Sequence, residues 1–172
     1  DDTPEILAEI GKEYPGRFEW DSETNPVWEE MRHRNFLLTR ARARGATHIA
    51  LIDADEVLTA NLLLTIREHV ERTPRGCVLM LPWLQLRDNG LSGSMGETGV
   101  MIDGMWGRQN VTVAYPDDPA YHWAVQEGCY DHHHRHPMGL PFVPYWCAEL
   151  QTPFWLSSEM ARSGGLVHFQ FL

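Results

Sequence analysis

The stretch Thr47-His48-Ile49-Ala50-Leu51-Ile52-Asp53-Ala54-Asp55-Glu56 decides how this chain is read. Its first part is a short apolar run following a helix-forming segment that ends at Gly45, the pattern of a buried parallel strand. Its last part places two carboxylates two residues apart at the strand's C-terminal end. In an extended chain, residues two apart share a side. A strand continued past Asp53 therefore sets Asp53 and Asp55 together. Carboxylates held close repel each other unless one takes a proton or a cation bridges them. Hard ions such as Mg2+ or Mn2+ suit carboxylate oxygen. Open α/β sheets bind ligands outside the carboxyl ends of their strands, which is where this pair falls. A solvated acidic turn leading into the next helix fits the same spacing.

On the N-terminal side, Thr3 and Pro4 give a cap-plus-proline signal for a helix over 3–14, closed by Pro15-Gly16. A short strand is expected over 17–20. Asn25-Pro26 repeats the signal for a helix running to about residue 44, with Gly45 as its C′ residue. Arg40, Arg42 and Arg44 suit the negative end of that helix's dipole. On the C-terminal side, Thr59 is placed to cap a helix reaching residue 72, with Leu62, Leu63, Ile66 and Val70 on one side. The apolar run 77–84 reads as a further strand. Helix and strand thus alternate through the first half, the pattern of an α/β layer with a parallel sheet.

The second half has another character. Gly90, Gly93, Gly96 and Gly99 fall every third residue, too few and too poor in Pro for collagen, and read as a loop. Paired strands are expected over 101–106 and 111–115. Residues 116–153 are rich in Pro, His and aromatics, a composition typical of binding loops. A strand is expected over 165–171.

Composition excludes several classes. With 172 residues and 43% hydrophobic content the chain is long and apolar enough for one cored domain. A formal net charge of -10 argues against a nucleic-acid partner. It leaves a small phosphate ligand open, because one bound cation reverses the local field. No apolar run approaches the roughly 20 residues needed for a membrane span. Cys77, Cys129 and Cys147 are odd in number and lack CxxC spacing, so reduced thiols and a cytoplasmic location are expected. The chain opens at Asp1-Asp2 without a Met and closes inside the apolar segment 169–172. Natural termini are usually polar, so a fragment lacking a first strand is expected.

Arg34-Asn35-Phe36-Leu37-Leu38, Ala41 or Ala43, Gly45 and then Ile49-Ala50-Leu51-Ile52-Asp53-Ala54-Asp55-Glu56-Val57-Leu58 together resemble the family 2 glycosyltransferases of the GT-A fold. The order and context match an Arg-Asn pair, a helix ending in Gly, an apolar strand and the Asp-x-Asp motif. The resemblance covers roughly residues 1–85 and is loose beyond. It implies an α/β, GT-A-like, mostly parallel sheet flanked by helices, in one partial domain over 1–172. Residues 1–85 would form the nucleotide-sugar half and 86–172 the acceptor side. It implies a transferase moving a sugar from a nucleotide-diphosphate donor to a carbohydrate or other hydroxyl-bearing acceptor, with Mn2+ or Mg2+. Asp55 would bind the metal that bridges the two phosphates. Asp53 would contact the ribose, or the metal through water. Asp1 and Asp2 resemble the acidic turn that helps hold the nucleotide. Arg34 is a nucleotide contact or a helix Arg beside Glu30. His168 matches the family's late metal ligand in position and flanks; a core histidine is the alternative.

Transfer with inversion needs a general base within hydrogen-bond reach of the acceptor hydroxyl. Asp131, Glu127, Glu97 and Glu149 are candidates, and Asp131 is preferred because it lies among His and Arg residues. The run Asp131-His132-His133-His134-Arg135-His136-Pro137 fits an acceptor-side or phosphate-facing loop, a zinc site through His132 and His134, or a solvated loop. Trp83, Trp106, Trp123, Trp146 and Trp155 suit sugar stacking, or simply fill a small core. Two rival functions follow. One is a metal-dependent hydrolase built on Asp53, Asp55 and the His132–His136 run; the other is a carbohydrate-binding module without catalysis. No glycine-rich phosphate loop is present, which ranks kinases and dehydrogenases low.

Overall fold

A computed structural model of the chain describes residues 2–22, 27, 29–88, 100–102, 110–124, 135–141, 143–145 and 165–170. The chain divides into two compact units, Asp1–Glu30 and Met31–Leu172.

The first unit holds helix α1, Thr3–Glu13. A proline in its first turn meets no missing donor there. Tyr14 closes it by donating its N–H to Ile10 O at 2.9 Å. Gly16 follows with φ 74°, and Phe18 folds back so that its ring lies 3.6 Å from where a Cβ on Gly11 would stand.

The second unit is built on a seven-stranded sheet in the order β1-β5-β3-β7-β2. Helix α2, Glu30–Ala43, leads into it. The helix stops as its residues predict: Gly45 at φ 75° donates to Arg42 O at 2.9 Å, and Ala46 donates to Ala41 O at 3.1 Å. That crossed pair satisfies the last carbonyls of the helix. Strand β1, His48–Ala50, then pairs antiparallel with β5, Asn110–Pro116, with Ile49 opposite Tyr115. The sequence pattern predicts a parallel strand here. A buried apolar run signals two covered faces but not the direction of its neighbour, and β5 returns along it in the opposite sense.

β2, Glu56–Leu58, pairs antiparallel with β7, Leu166–Gln170. The helix expected from 59 to 72 is broken in two, α3 Ala60–Leu63 and α4 Ile66–Arg72. Thr59 does not cap it by its side chain; the hydroxyl instead accepts the N–H of Gly165 at 2.9 Å, tying the start of α3 to β7. Central to the sheet is β3, Val78–Asp88. It runs parallel to β6, Pro144–Tyr145, and to β7. It runs antiparallel to β4, Val100–Ile102, and to β5. It also crosses residue 85, so the two halves distinguished in the sequence share one sheet.

Alternation explains the unbroken apolar sequence of the first part of β3, residues 78–81. Val78 and Met80 lie in a core with Leu38, Ile49, Tyr115, Tyr121, Trp123 and Leu140. Leu79 and Leu81 lie in another with Leu58, Leu62, Val113, Ala114 and Leu166. Successive side chains of a strand point to opposite faces, so both faces of this stretch are covered. Among the described residues no helix is long and apolar enough to cross a membrane.

Candidate functional site

The Asp-Ala-Asp-Glu sequence is a closed turn. Glu56 N–H donates to Asp53 O at 3.0 Å, and Asp53 N–H donates to the Glu56 carboxylate at 2.9 Å. The extended conformation anticipated past Asp53 is therefore replaced by a turn stitched at both ends by residue 56. In consequence Asp53 and Asp55 address different partners.

Asp53 faces two arginines. Arg34 Nη2, from α2, reaches its carboxylate oxygens at 3.1 and 3.3 Å. Arg135 Nη2 donates to Asp53 Oδ2 at 3.1 Å and also to Glu56 Oε2. The side chains of Arg34, Arg135 and Glu56 are 10%, 7% and 2% exposed, while that of Asp53 is 41% exposed. The cluster is thus closed at Glu56 and open at Asp53. Two guanidinium and two carboxylate charges offset one another, the condition on which ionised groups are buried at all.

Asp55 turns elsewhere. Its Oδ2 lies 3.1 Å from His168 Nε2, although 113 residues separate the two in sequence. The β2–β7 register sets His168 opposite Glu56 and so brings its ring beside the turn. The Asp55 side chain is 47% exposed and that of His168 18%. An anionic oxygen and an imidazole nitrogen side by side form a two-donor set open to one side. Among the described residues no group of three His, Cys, Asp or Glu is arranged to hold a metal ion. A cation held here would take its remaining ligands from water and a phosphate-bearing substrate, as Mg2+ commonly does.

Two further contacts hold the neighbouring chain in place. The Asn35 side chain forms a two-way bridge to the backbone of Trp123, donating to its O at 2.7 Å and accepting from its N–H at 2.8 Å. Arg42 grips Asp117 with two bonds of 2.8 Å, and reaches Asp118 O and Tyr121 O besides. Hydrogen bonding to Asp117 raises the Arg42 pKa above its ordinary value. Trp123 is buried in the core and packs against Tyr115, so its role is the packing one. Tyr115 is buried with a hydroxyl that has no partner among the described residues, and burial, followed by the nearby Asp117, raises its pKa well above the ordinary tyrosine value.

Of the residues singled out from sequence, Arg34, Asp53, Asp55 and His168 converge on this turn and its partners. Asp2 stands at the N-cap of α1 in the first unit, exposed and without a side-chain cap bond. Asp1, Asp131, His132, His133 and His134, the alternative bases Glu97, Glu127 and Glu149, the glycine loop 90–99, and Trp106, Trp146 and Trp155 lie outside the described residues. Glu56, Arg135 and Asn35 were not assigned roles from sequence. Each was in view: Glu56 as the fourth residue of the motif, Asn35 beside Arg34, Arg135 inside the histidine run. What sequence lacks is the partner, 79 to 88 residues away for Arg135 and Asn35. No protein-family model, no curated protein and no solved structure matches the chain.

Proposed function

We propose that this chain is part of a metal-dependent glycosyltransferase of GT-A type, transferring a sugar from a nucleotide-diphosphate donor to a hydroxyl-bearing acceptor such as a carbohydrate. The observation that carries the reading is the meeting of Asp55 with His168 at 3.1 Å. Those are the second carboxylate of the Asp-x-Asp motif and the late histidine in which the resemblance locates the metal ligands. Asp55 and His168 would hold Mn2+ or Mg2+. The cation would supply charge neutralisation for the leaving diphosphate, an effect worth several kcal/mol.

The protein's own residues do the positioning. Asp53, fixed by Arg34 and Arg135, keeps its exposed edge toward the donor, in keeping with a contact to the ribose or to metal-bound water. Glu56 holds the turn so that Asp53 and Asp55 present their carboxylates in fixed directions without needing the ligand to order them, which lowers the cost of binding. Asp131 remains the proposed base.

Calorimetric titration of UDP and GDP, with and without Mn2+, tests this on the wild type, Asp55→Ala and His168→Ala. Expected is binding that requires the metal and falls at least tenfold in either variant. Metal-independent binding, or none with a folded wild type, would defeat the proposal.

A further inference from the structure

One buried cation in this site is only half used. Arg135 spends Nη2 on Asp53 and Glu56, while Nη1 is shut off from water and has no acceptor among the described residues. A buried donor without a partner loses its hydration and gains nothing in return, and the loss is larger for a charged group. Such groups in folded proteins call for an explanation, a ligand among them. We propose that Arg135 is an anion-binding residue, offering Nη1 to a phosphoryl oxygen of the diphosphate bound at Asp55. The proposal deepens the transferase reading and rests on it for the identity of the anion.

Three features select an anion and this direction of approach. A guanidinium is planar with a fixed fork of donors, and anionic oxygens of carboxylate or phosphate are its strongest acceptors. Both oxygens of Asp53 and Oε2 of Glu56 are engaged by arginine or by backbone N–H, and none of these bonds uses Arg135 Nη1. The cluster is closed at Glu56 and exposed at Asp53, two residues from the exposed Asp55, so an anion anchored at Asp55 approaches it from its exposed side. Side chains over Nη1 must move aside to admit it, and the charge-assisted hydrogen bond that forms favours that movement. Asp53 and Glu56 then act as the holders of the arginine. This gives the histidine run a concrete function through its one arginine.

The test compares wild type with Arg135→Lys, which keeps the charge for Asp53 and Glu56 but has no second terminal nitrogen. A second variant, Glu56→Leu with Arg135→Met, removes the buried pair together and is expected to fold, because apolar replacement of such pairs is often neutral or stabilising. Probes are UDP, GDP and inorganic pyrophosphate, each titrated with saturating Mn2+, and Mn2+ alone. Expected are unchanged Mn2+ affinity in Arg135→Lys, which keeps Glu56 and its hold on the turn, and a loss of about 10- to 100-fold for the diphosphates in both variants, the scale of one hydrogen bond to a charged group. Equal diphosphate affinity in wild type and either folded variant overturns the role of Arg135 and leaves the transferase reading standing. Pyrophosphate binding that depends on Arg135, with no preference for UDP or GDP, supports the anion site and counts against the nucleotide reading. A wild type that binds none of the three sinks both.

Discussion

Replacing Glu56 by Ala removes the partner of a guanidinium that is 7% exposed, and also the acceptor of the Asp53 N–H. Arg135 would be left with one bond to a carboxylate that already serves Arg34. Breaking a buried ion pair from one side costs about 3–5 kcal/mol, because the remaining charge stays desolvated. A domain has roughly 5–15 kcal/mol of stability in all, so the loss is a large share of it. At this size it corresponds to a fall in Tm of roughly 6–20 °C. Urea unfolding followed by tryptophan fluorescence measures it directly, since a shift in midpoint at unchanged slope is a change in stability alone. The control is Glu71→Ala, which breaks the exposed i,i+4 contact with Arg67 (2.8 Å) and should match wild type. The double variant Glu56→Leu with Arg135→Met should recover most of what Glu56→Ala loses. A Glu56→Ala protein within about 1 kcal/mol of wild type would refute the claim that the turn is fixed from within.

Other consequences can be measured on the same footing. Tyr115→Phe removes a buried, partnerless hydroxyl, so at pH 7 the variant should equal or exceed wild type by up to about 1–3 kcal/mol. The wild type should lose stability as pH rises beyond about 10, where the unfolded phenol ionises and the folded one, its pKa raised by burial, does not. Tyr115→Phe should flatten that decline in part, the remainder coming from Tyr121, whose pKa burial also raises, and from Tyr14, whose pKa is raised by hydrogen bonding to Glu13. Urea midpoints from pH 7 to 11 for both proteins check the sign, and a decline as steep in the variant would exclude Tyr115 as its source. Asn35→Ala strips both hydrogen bonds from the Trp123 backbone and should cost about 1–3 kcal/mol, with faster amide hydrogen exchange at Trp123. Unaltered exchange there would mean that core packing alone holds the segment.

Local chemistry was the readable part of this chain. The glycine that stops α2, the apolar runs that became β1, β3 and β7, and the residues of the acidic turn all carry their signals within a few positions of themselves. Pairing direction was not readable, because an apolar run such as 47–52 is compatible with a parallel or an antiparallel neighbour, and β5 begins only at Asn110, far from β1, which ends at Ala50. The conformation of the turn depended on one side chain: Glu56 binds the backbone of Asp53, and nothing in the alternation of residues announces that a carboxylate will stand in for a strand partner. The same limit explains Thr59, a good cap by composition that is taken instead by Gly165, 106 residues later. Arg34 illustrates the intermediate case. Its importance was visible beside Asn35, but the carboxylate it reaches at Asp53 lies 19 residues on in the sequence.

The span between Asp55 and His168 also sets an order of events in synthesis. At about 5–20 residues per second, the ribosome needs roughly 6–20 s to add the 113 residues between them. Throughout that interval β2 lacks the strand that becomes its neighbour, and the Trp83–Arg87 stretch of β3 waits for the same segment. The nascent protein therefore carries an exposed apolar strand and no assembled site until residues 166–170 emerge, and it is in that window that a chaperone would find it.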